Sequence, residues 1–414
     1  MQFLKAGFSS HVFLNEEICL EHLSECDVAV FNTDSRALSA NEAYAKLTAL
    51  TKELQILENF IIYKKIDSTM RGNVGTEIDA VLEATDIDFC IVAPAYPENR
   101  RITVGGYHLL GDSLLEDTEF AQDPKCPITD SFLPGLLQKQ SKYQVGFVDL
   151  EVLRRGNIRE VVTQMVQEGK RIIVFDGVKD ADLKAITKTY FQTDEKILWV
   201  GSAGLAHSLA NQMVKKEEFL ENYQQHSGMN EKAILVVAGS LSSHTREQIA
   251  FLKRQGTRVI SIHPVQLLQI NQHALNHYLE EAKKLLQSGQ HVVLTTEHTE
   301  ETTIGIRQYV RENNMSNLDL GNRIAKNLGM LAAQLLNHVE VNGVILTGGD
   351  IAYQTCKALG IESLEIIDEV EEGIPLCKVS EGFGKDLLII TKAGAFGSQF
   401  SLFNAVNKIQ QQVN

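Results

Sequence analysis

Short apolar runs rich in Val, Ile and Phe alternate with longer amphipathic stretches through most of the chain. The runs predict strands at 28–32, 60–66, 89–94, 171–175 and 197–200 in the first half, and at 233–238, 258–262, 291–296, 343–347 and 387–391 in the second. Strands alternating with helices are typical of parallel sheets with crossover connections. Both halves are therefore predicted to be α/β, with the longest helix, at about 320–339, packed on the second sheet.

The chain is longer than a single hydrophobic core usually supports, so two domains are expected from its 414 residues. A polar, Gly-containing stretch at 222–232 separates a helical pattern from a new strand. The predicted domains are therefore 1–226 and 232–414. Residues 96–131 interrupt the alternation with several Pro and Gly, which predicts a hairpin or flap lining a ligand cleft. A surface or oligomer-forming loop is the alternative.

The composition is that of a soluble globular protein, with 44% hydrophobic and 22% charged residues. The net charge of −14 comes without a basic patch, which argues against nucleic acid as a partner. The six cysteines form no C-x-x-C pair, which favours a reducing cytoplasm. No apolar run reaches the roughly 18 residues of a membrane span. The sequence leaves a homo-oligomeric state open.

A dense polar segment at 65–73 reads Lys-Ile-Asp-Ser-Thr-Met-Arg-Gly-Asn and follows a predicted strand. Open α/β sheets bind ligands beyond the carboxyl ends of their strands. The helix that starts near Val74 would direct its first N–H groups at the same place, which favours a bound carboxylate or phosphate. The segment therefore predicts a substrate site. The alternative is a polar turn with an internal ion pair.

Four predicted strand-to-helix turns are rich in Gly, Ser and Thr, at 201–204, 239–243, 347–350 and 392–397. Glycine lets the backbone approach a ligand, hydroxyls donate to phosphate oxygens, and the following helix adds a positive N-terminus. The chain has no G-x-x-x-x-G-K-[ST] motif, and no G-x-G-x-x-G follows a strand. Phosphate binding would therefore use a different loop chemistry.

Other catalytic or metal-binding motifs are weak. His273, His277 and Glu281 have the spacing of metal ligands on a helix, but the polar residues around them favour a solvated face. The sequence contains neither H-E-x-x-H nor G-x-S-x-G, which argues against a zinc protease and an α/β-hydrolase.

An ordered series of motifs covers nearly the whole chain. It consists of Ser35-Arg36 with Glu42-Ala43, the segment 65–73, the segment 94–99 with Gly106-Tyr107-His108, the segment 201–206, Gly239-Ser240, Gly348-Gly349-Asp350 and Lys392-Ala393-Gly394. In this order the chain resembles the four-carbon acid sugar kinase family. The form of the 65–73 segment looks closer to the D-threonate and D-erythronate kinases than to the 3-oxo-tetronate kinases.

The resemblance implies an N-terminal domain that binds an acid sugar and a C-terminal domain that binds a nucleotide, with a cleft between two α/β domains of mainly parallel sheets. ATP would phosphorylate the terminal hydroxyl of a four-carbon sugar acid. Family members typically open with an Asp-Asp-x-Thr-Gly-Ala turn, which this sequence does not contain, so we expect an N-terminally truncated domain and low activity. Ile351 stands where Thr is common, and Ala395 where Gly is common.

Site residues follow from the same resemblance. The expected substrate-binding residues are Arg36, Lys65, Asp67, Ser68, Thr69, Met70 and Arg71. Arg36 and Arg71 would hold the substrate carboxylate, and Asp67 and Ser68 the sugar hydroxyls, with Lys65 alternatively facing the γ-phosphate. Asp67 is the expected general base, and the carboxylates of the missing N-terminal turn are the alternative. The expected ATP-binding residues are Ser240, Gly348, Gly349, Asp350, Ile351 and Gly394. Asp350 would assist Mg²⁺, without a dedicated metal site in the protein. The alternatives are a ligand-binding or regulatory protein of the same fold that has lost turnover, and a lyase or synthase acting on sugar acids.

Overall fold

Every strand predicted from the apolar runs is present in the computed structural model, which describes residues 1–14, 23, 26–55, 57, 60–123, 126–213, 232–239, 242–269, 272–394 and 396–413. The strands are β1 (Ser10–Phe13), β2 (Val28–Phe31), β3 (Tyr63–Lys65), β4 (Phe89–Ala93), β5 (Arg101–Val104), β6 (Tyr107–Leu110), β7 (Ser113–Leu114), β8 (Gln144–Val148), β9 (Lys170–Phe175), β10 (Ile197–Gly201), β11 (Ile234–Ala238), β12 (Arg258–Ile262), β13 (Val292–Thr296), β14 (Gly343–Thr347), β15 (Ser363–Glu371), β16 (Ile374–Glu381) and β17 (Leu388–Lys392). The α-helices are Gln2–Lys5, Ala40–Leu54, Val74–Ala84, Leu133–Gln140, Leu150–Arg155, Ile158–Gln167, Asp180–Tyr190, Ala203–Ala210, Ser243–Arg254, Pro264–Gln269, Gln272–Gln287, Glu300–Glu312, Asn317–Leu336, Gly349–Leu359 and Ser401–Val413. Short 3₁₀ turns cover Pro97–Asn99, Leu115–Asp117 and Glu119–Gln122.

One compact unit, formed by Gln2–Ala6 and Thr33–Lys216, contains a five-stranded sheet in the order β3-β10-β4-β9-β8. All four strand pairs in this sheet are parallel. A separate antiparallel sheet, β5-β6-β7, forms the hairpin predicted within residues 96–131. The α/β prediction for this part of the chain is confirmed.

Both faces of the five-stranded sheet are covered, which explains its uninterrupted apolar strands. Along β4, Cys90 and Val92 belong to one buried cluster, whereas Phe89, Ile91 and Ala93 belong to another. The alternation follows from the two-residue period of a strand. The carboxyl ends of β3, β10 and β4 are in register, so the segments that follow these strands leave the same edge.

The other compact unit, formed by Met1, Gly7–Asn32 and Glu217–Asn414, contains a nine-stranded sheet in the order β12-β13-β11-β14-β17-β16-β15-β1-β2. The first five strands are parallel, and β16 and β15 are antiparallel additions. β1 pairs antiparallel with β15. The predicted domain 1–226 included residues 7–32, so its limits differ from the compact units in this segment. Pairing between β1 and β15 is long-range and leaves no local signal in the sequence.

The longest described helix, Asn317–Leu336, agrees with the predicted one, and its start is set by a Ser316 capping box. His277 and Glu281 are exposed on helix Gln272–Gln287, in agreement with a solvated face. In the part of the chain that is described, no cluster of three or more His, Cys, Asp or Glu side chains is arranged to hold a metal ion. Among the described helices, none is both long and apolar enough to cross a bilayer.

Candidate functional site

The loop 65–73 leaves the end of β3 and leads into helix Val74–Ala84. Its backbone passes twice through the left-handed region, at Met70 with φ 59° and at Gly72 with φ 98°. The Met70 side chain is buried in the core beneath the loop. A Cβ atom at Gly72 would lie 3.1 Å from Cγ of Arg36. The buried Met70 and the missing side chain of Gly72 therefore hold the loop closely against Arg36.

Asp67 lies between two guanidinium groups. Its Oδ2 accepts a hydrogen bond from Nε of Arg71 at 2.5 Å and lies 3.7 Å from Nη1 of Arg36. Nη1 of Arg71 donates to Oδ2 of Asp123 at 2.7 Å, and its guanidinium lies 4.8 Å from the Phe120 ring centroid. The Arg71 side chain is 17% exposed, against 52% for Arg36. Arg71 is thus held by protein groups, whereas about half of the Arg36 side chain is open to solvent.

Two cations of the 65–73 loop, Arg71 and Lys65, have shifted pKa values. Burial lowers the pKa of Arg71, but the hydrogen bonds and charges of Asp67 and Asp123 outweigh it, so the net shift is upward. Desolvation of the ammonium lowers the pKa of Lys65 even though the residue as a whole is exposed, and the negative charge of Asp67 acts in the opposite direction. The Lys65 Nζ donates to the Ile66 carbonyl at 2.8 Å. The loop therefore combines a guanidinium paired with two carboxylates and an ammonium held by a backbone carbonyl.

A pocket of about 240 Å³ opens beside Arg36. Its lining residues are Arg36, Ala37, Leu38, Gly72, Asn73, Cys126 and Pro127. The Cys126 amide donates to Oδ1 of Asp123 at 2.8 Å, and its Sγ donates to the Arg36 carbonyl at 2.9 Å. The pocket is smaller than the roughly 300–1,000 Å³ typical of drug-sized ligands, so it suits a small molecule. The sequence pattern gave no signal for Cys126 and Pro127, which lie far from the loop along the chain.

The segment that carries Arg36 is tied to the helix after the loop. Nδ2 of Asn73 donates to the carbonyls of Ser35, at 3.3 Å, and Leu38, at 2.9 Å. The Ser35 hydroxyl donates to the buried carboxylate of Glu77. These contacts place Arg36 against the loop, so the structure brings Ser35-Arg36 and segment 65–73 together.

His108 connects the β5–β6 hairpin to the loop. It is fully buried, with Nε2 3.0 Å from the Ser68 carbonyl and Nδ1 2.8 Å from Oγ1 of Thr103. Because a carbonyl only accepts, Nε2 carries the proton and Nδ1 accepts from the Thr103 hydroxyl. Burial lowers the pKa of His108 to about 4, which keeps the imidazole neutral at pH 7. The sequence pattern included His108 but assigned it no role.

The glycines of the turn 201–204 have a packing explanation. A Cβ atom at Gly204 would lie 2.3 Å from the Ala95 carbonyl oxygen, and one at Gly201 would lie 2.7 Å from Cβ of Leu205. The Ser202 hydroxyl accepts from the Gly204 amide and caps helix Ala203–Ala210. No ligand is needed to explain the glycines of this turn.

The remaining Gly-rich turns lie side by side in the second unit. β11, β14 and β17 are adjacent and parallel, and they end in register. Gly348 has φ 106°, and its amide donates to the Lys392 carbonyl at 2.7 Å. Gly349 and Asp350 form the first turn of helix Gly349–Leu359. The structure therefore brings Gly348, Gly349, Asp350 and the turn after Lys392 to one edge of the sheet.

Ile351 and Gly239 fit together across two of these turns. A Cβ atom at Gly239 would lie 2.5 Å from Cδ1 of Ile351, whose side chain is buried. The Ile351 side chain is thus packed inward against Gly239. The carbonyl of Gly394 accepts from the Thr245 hydroxyl at 2.5 Å, which joins the third turn to this group. Ser240, expected to bind ATP, and Ala395 lie outside the described residues.

Comparisons with known proteins match both parts of the chain. Residues 1–209 match a sugar-binding N-terminal domain, and residues 235–402 match a nucleotide-binding C-terminal domain. The chain is 33% identical to the D-threonate kinase of Salmonella typhimurium over 99% of this chain and 95% of that protein. It is 28% identical to the D-erythronate kinase of Heliobacterium modesticaldum over 99% and 93% of the two chains.

A solved structure from Salmonella typhimurium LT2 has the same fold, with a TM-score of 0.80 at 23% identity over 98% of this chain and 94% of that one. The two domain matches lie in the order that the sequence motifs predicted, and together they cover most of the chain. The chain belongs to the four-carbon acid sugar kinase family.

Proposed function

We propose that this protein is a kinase that transfers the γ-phosphoryl group of ATP to the terminal hydroxyl of a four-carbon sugar acid, D-threonate or D-erythronate. The observation that carries the proposal is the arrangement of Arg36 and Arg71 on either side of Asp67 at the end of β3. A carboxylate ligand needs an available guanidinium, and a hydroxyl nucleophile needs a positioned base. The family names of the relatives supply the substrate class.

On the substrate side, the exposed guanidinium of Arg36 takes the sugar carboxylate at the small pocket. Arg71 orients Asp67 and adds positive charge from its partly buried position. Ser68 and Thr69 supply polar contacts to the sugar hydroxyls. Thr69 supports this role because its buried hydroxyl has no hydrogen-bond partner within the described residues, which is rare for a buried polar group. Met70 anchors the loop from below.

On the nucleotide side, the amides at Gly348, Gly349 and Ile351 and the turn at Gly394 would bind the ATP phosphates, together with Ser240. The start of helix Gly349–Leu359 adds the positive end of a helix dipole. Asp350, exposed in that first turn, fits Mg²⁺, which is commonly bound through one or two carboxylates plus substrate phosphates. When bound, the ion would neutralise phosphate charge.

The chemical step makes few demands on the protein beyond positioning and charge. The terminal hydroxyl oxygen of the sugar acid forms a bond to the γ-phosphorus while the bond between that phosphorus and the β,γ-bridging oxygen breaks. The hydroxyl proton moves to the Asp67 carboxylate, and ADP leaves. Arg71 keeps Asp67 in place through the Nε hydrogen bond. Lys65 is the nearby cation available to the transferring phosphoryl group.

The test is ADP release from the 414-residue chain with D-threonate, D-erythronate, a 3-oxo-tetronate and a six-carbon sugar acid in parallel. Phosphorus NMR of the product identifies the phosphorylated hydroxyl. We expect turnover with D-threonate or D-erythronate and little with the six-carbon acid, and Asp67→Asn should abolish it. ADP release with none of the four-carbon acids would refute the proposal and favour the non-catalytic alternative.

A further inference from the structure

Lys392 is a buried lysine at the end of β17 whose ammonium points back into its own turn. Only 3% of the residue is exposed. Its Nζ donates to three carbonyl oxygens of the following turn, those of Ala393 at 2.9 Å, Gly394 at 3.1 Å and Phe396 at 3.1 Å. One cation thus gathers three peptide groups of a single turn around itself.

This arrangement fixes where the amides of the turn point. A trans peptide unit holds its C=O and its following N–H on opposite sides, and the described chain contains no cis peptide. Since the carbonyls of Ala393 and Phe396 face the ammonium, the N–H groups of Gly394 and Gly397 point away from it. Backbone amides directed outward from one turn, next to a buried positive charge, form an environment that favours an anion.

A helix of the same unit holds the turn from the other side. On helix Ser243–Arg254, Thr245 donates to the Gly394 carbonyl at 2.5 Å, Gln248 to the Phe396 carbonyl at 3.3 Å, and Nε2 of His244 to the Gly397 carbonyl at 2.6 Å. This helix follows the turn that contains Ser240. Lys392 and this helix therefore place two of the expected ATP-binding turns relative to each other.

We propose that Lys392 is a positioning residue of the ATP site, which directs the Gly394 and Gly397 amides toward the phosphates without touching the nucleotide itself. The proposal rests on the proposed kinase function and goes beyond it, since it assigns to Lys392 the shape and charge of the third phosphate-binding turn. A lysine that contacted phosphate directly would need its Nζ donors for the ligand, whereas here they are directed at carbonyls.

Protonation adds a second readout. Burial lowers the pKa of Lys392 to about 8, and the charge of Glu371 acts in the opposite direction. Two ionisable groups of neighbouring elements lie at this turn: Glu371, from β15, accepts from the Ser398 amide, and His244, from the helix behind the turn, donates to the Gly397 carbonyl. Because this pKa is lower in the folded than in the unfolded chain, deprotonation above pH 8 does not destabilise the fold. ATP affinity should therefore fall between pH 7 and 9 while the melting temperature does not follow it.

The experiment measures the dissociation constant for ATP by calorimetry from pH 6.5 to 9.5 on the full chain, with the KM for the sugar acid and the melting temperature measured alongside. The variants are Lys392→Met, which keeps the bulk of the side chain, and Lys385→Met, an exposed control in the same unit. We expect the dissociation constant of Lys392→Met for ATP at pH 7.5 to be at least roughly tenfold higher than that of the wild type. Its KM for the sugar acid should stay within about twofold of the wild-type value. Its ATP affinity should show no pH midpoint near 8. Lys385→Met should behave as the wild type.

Three outcomes would overturn the inference about Lys392. The first is unchanged ATP affinity in Lys392→Met. The second is a pH midpoint that persists in this variant and so belongs to another group. The third is an equal loss of affinity for the sugar acid, which would indicate general misfolding. If one of these outcomes is observed while the wild-type chain still phosphorylates the sugar acid, the kinase proposal stands. A wild-type chain that does not bind ATP overturns both proposals.

Discussion

Replacing Arg36 and Arg71 separately should distinguish the residue that binds the substrate from the one that orients the base. Both guanidinium groups approach Asp67, but their surroundings differ. Arg36 is about half exposed and 3.7 Å from the carboxylate, and exposed ion pairs contribute at most about 1 kcal/mol to stability. Arg36→Ala should therefore leave the melting temperature nearly unchanged. A hydrogen bond to a charged ligand contributes about 1.5–3 kcal/mol, so the KM for the sugar acid should rise roughly 10- to 150-fold.

Arg71→Ala should act mainly on the fold of the loop. It removes the partner of two carboxylates, Asp67 and Asp123, that are only 18% and 19% exposed. Breaking a buried pair costs about 3–5 kcal/mol, and the residual exposure favours the lower end of that range. At about 2–4 °C per kcal/mol for a unit of this size, the melting temperature should fall by roughly 6–12 °C. Arg71→Lys should recover only part of the lost melting temperature, because one ammonium can pair well with only one of the two carboxylates.

The assay pairs steady-state kinetics with thermal unfolding for each variant. Arg159→Ala is the control, since it removes an exposed ion pair with Glu195. If Arg36→Ala kept a KM for the sugar acid within threefold of the wild type, the assignment of the carboxylate to Arg36 would be wrong. If Arg71→Ala unfolded at the wild-type temperature, the buried cluster would have no structural role.

Three further predictions concern other parts of the structure. The folded-state pKa of His108 is below its usual 6.5, so its contribution to stability should be fully present above pH 6.5 and fall as the pH drops toward 4. His108→Gln, which retains a donor for the Ser68 carbonyl, should remove this pH dependence from the melting temperature. His108→Leu should remove it too, and should also raise the KM for the sugar acid. Gly204→Ala forces a Cβ atom onto the Ala95 carbonyl and should cost about 1–3 kcal/mol in denaturant unfolding, whereas Gly156→Ala, at an open left-handed position, provides a control for backbone strain alone. Asp350→Asn should raise the Mg²⁺ concentration for half-maximal activity roughly tenfold, equivalent to about 1.4 kcal/mol, and leave the KM for the sugar acid unchanged. If the variant and the wild type needed the same Mg²⁺ concentration, Asp350 would not be a Mg²⁺ ligand.

The sequence predicted the features that depend on local pattern. The apolar run of β4 identified a buried strand, and the polar segment 65–73 identified the turn after β3, because strand period, helix start signals and turn chemistry are all encoded within a few residues. The composition of the Gly-rich turns was visible in the sequence, whereas their adjacency follows from the strand order of the sheet.

Features that depend on distant contacts could not be predicted in this way. Asp123 and His108 reach the loop through tertiary packing, and no spacing in the sequence indicates either contact. Met70 adopts a positive φ that glycine usually takes, which only the buried side chain makes favourable. The pairing of β1 with β15 likewise has no local signal.

The place of β1 and β2 in the nine-stranded sheet has a consequence for how the protein is made. Phe13 of β1 pairs with Ser363, so β1 and β2, which pair with each other, reach the sheet edge that they cover only after about 350 more residues have been synthesised. At roughly 5–20 residues per second, this delay lasts roughly 20–70 seconds. During that time the unit containing Thr33–Lys216 can fold. β1 and β2, which precede it in the chain, still lack β15, the strand whose edge β1 will cover. Biogenesis of this chain should therefore depend on protection of β1 and β2 until β15 is made, a demand set by topology rather than by the final stability of either unit.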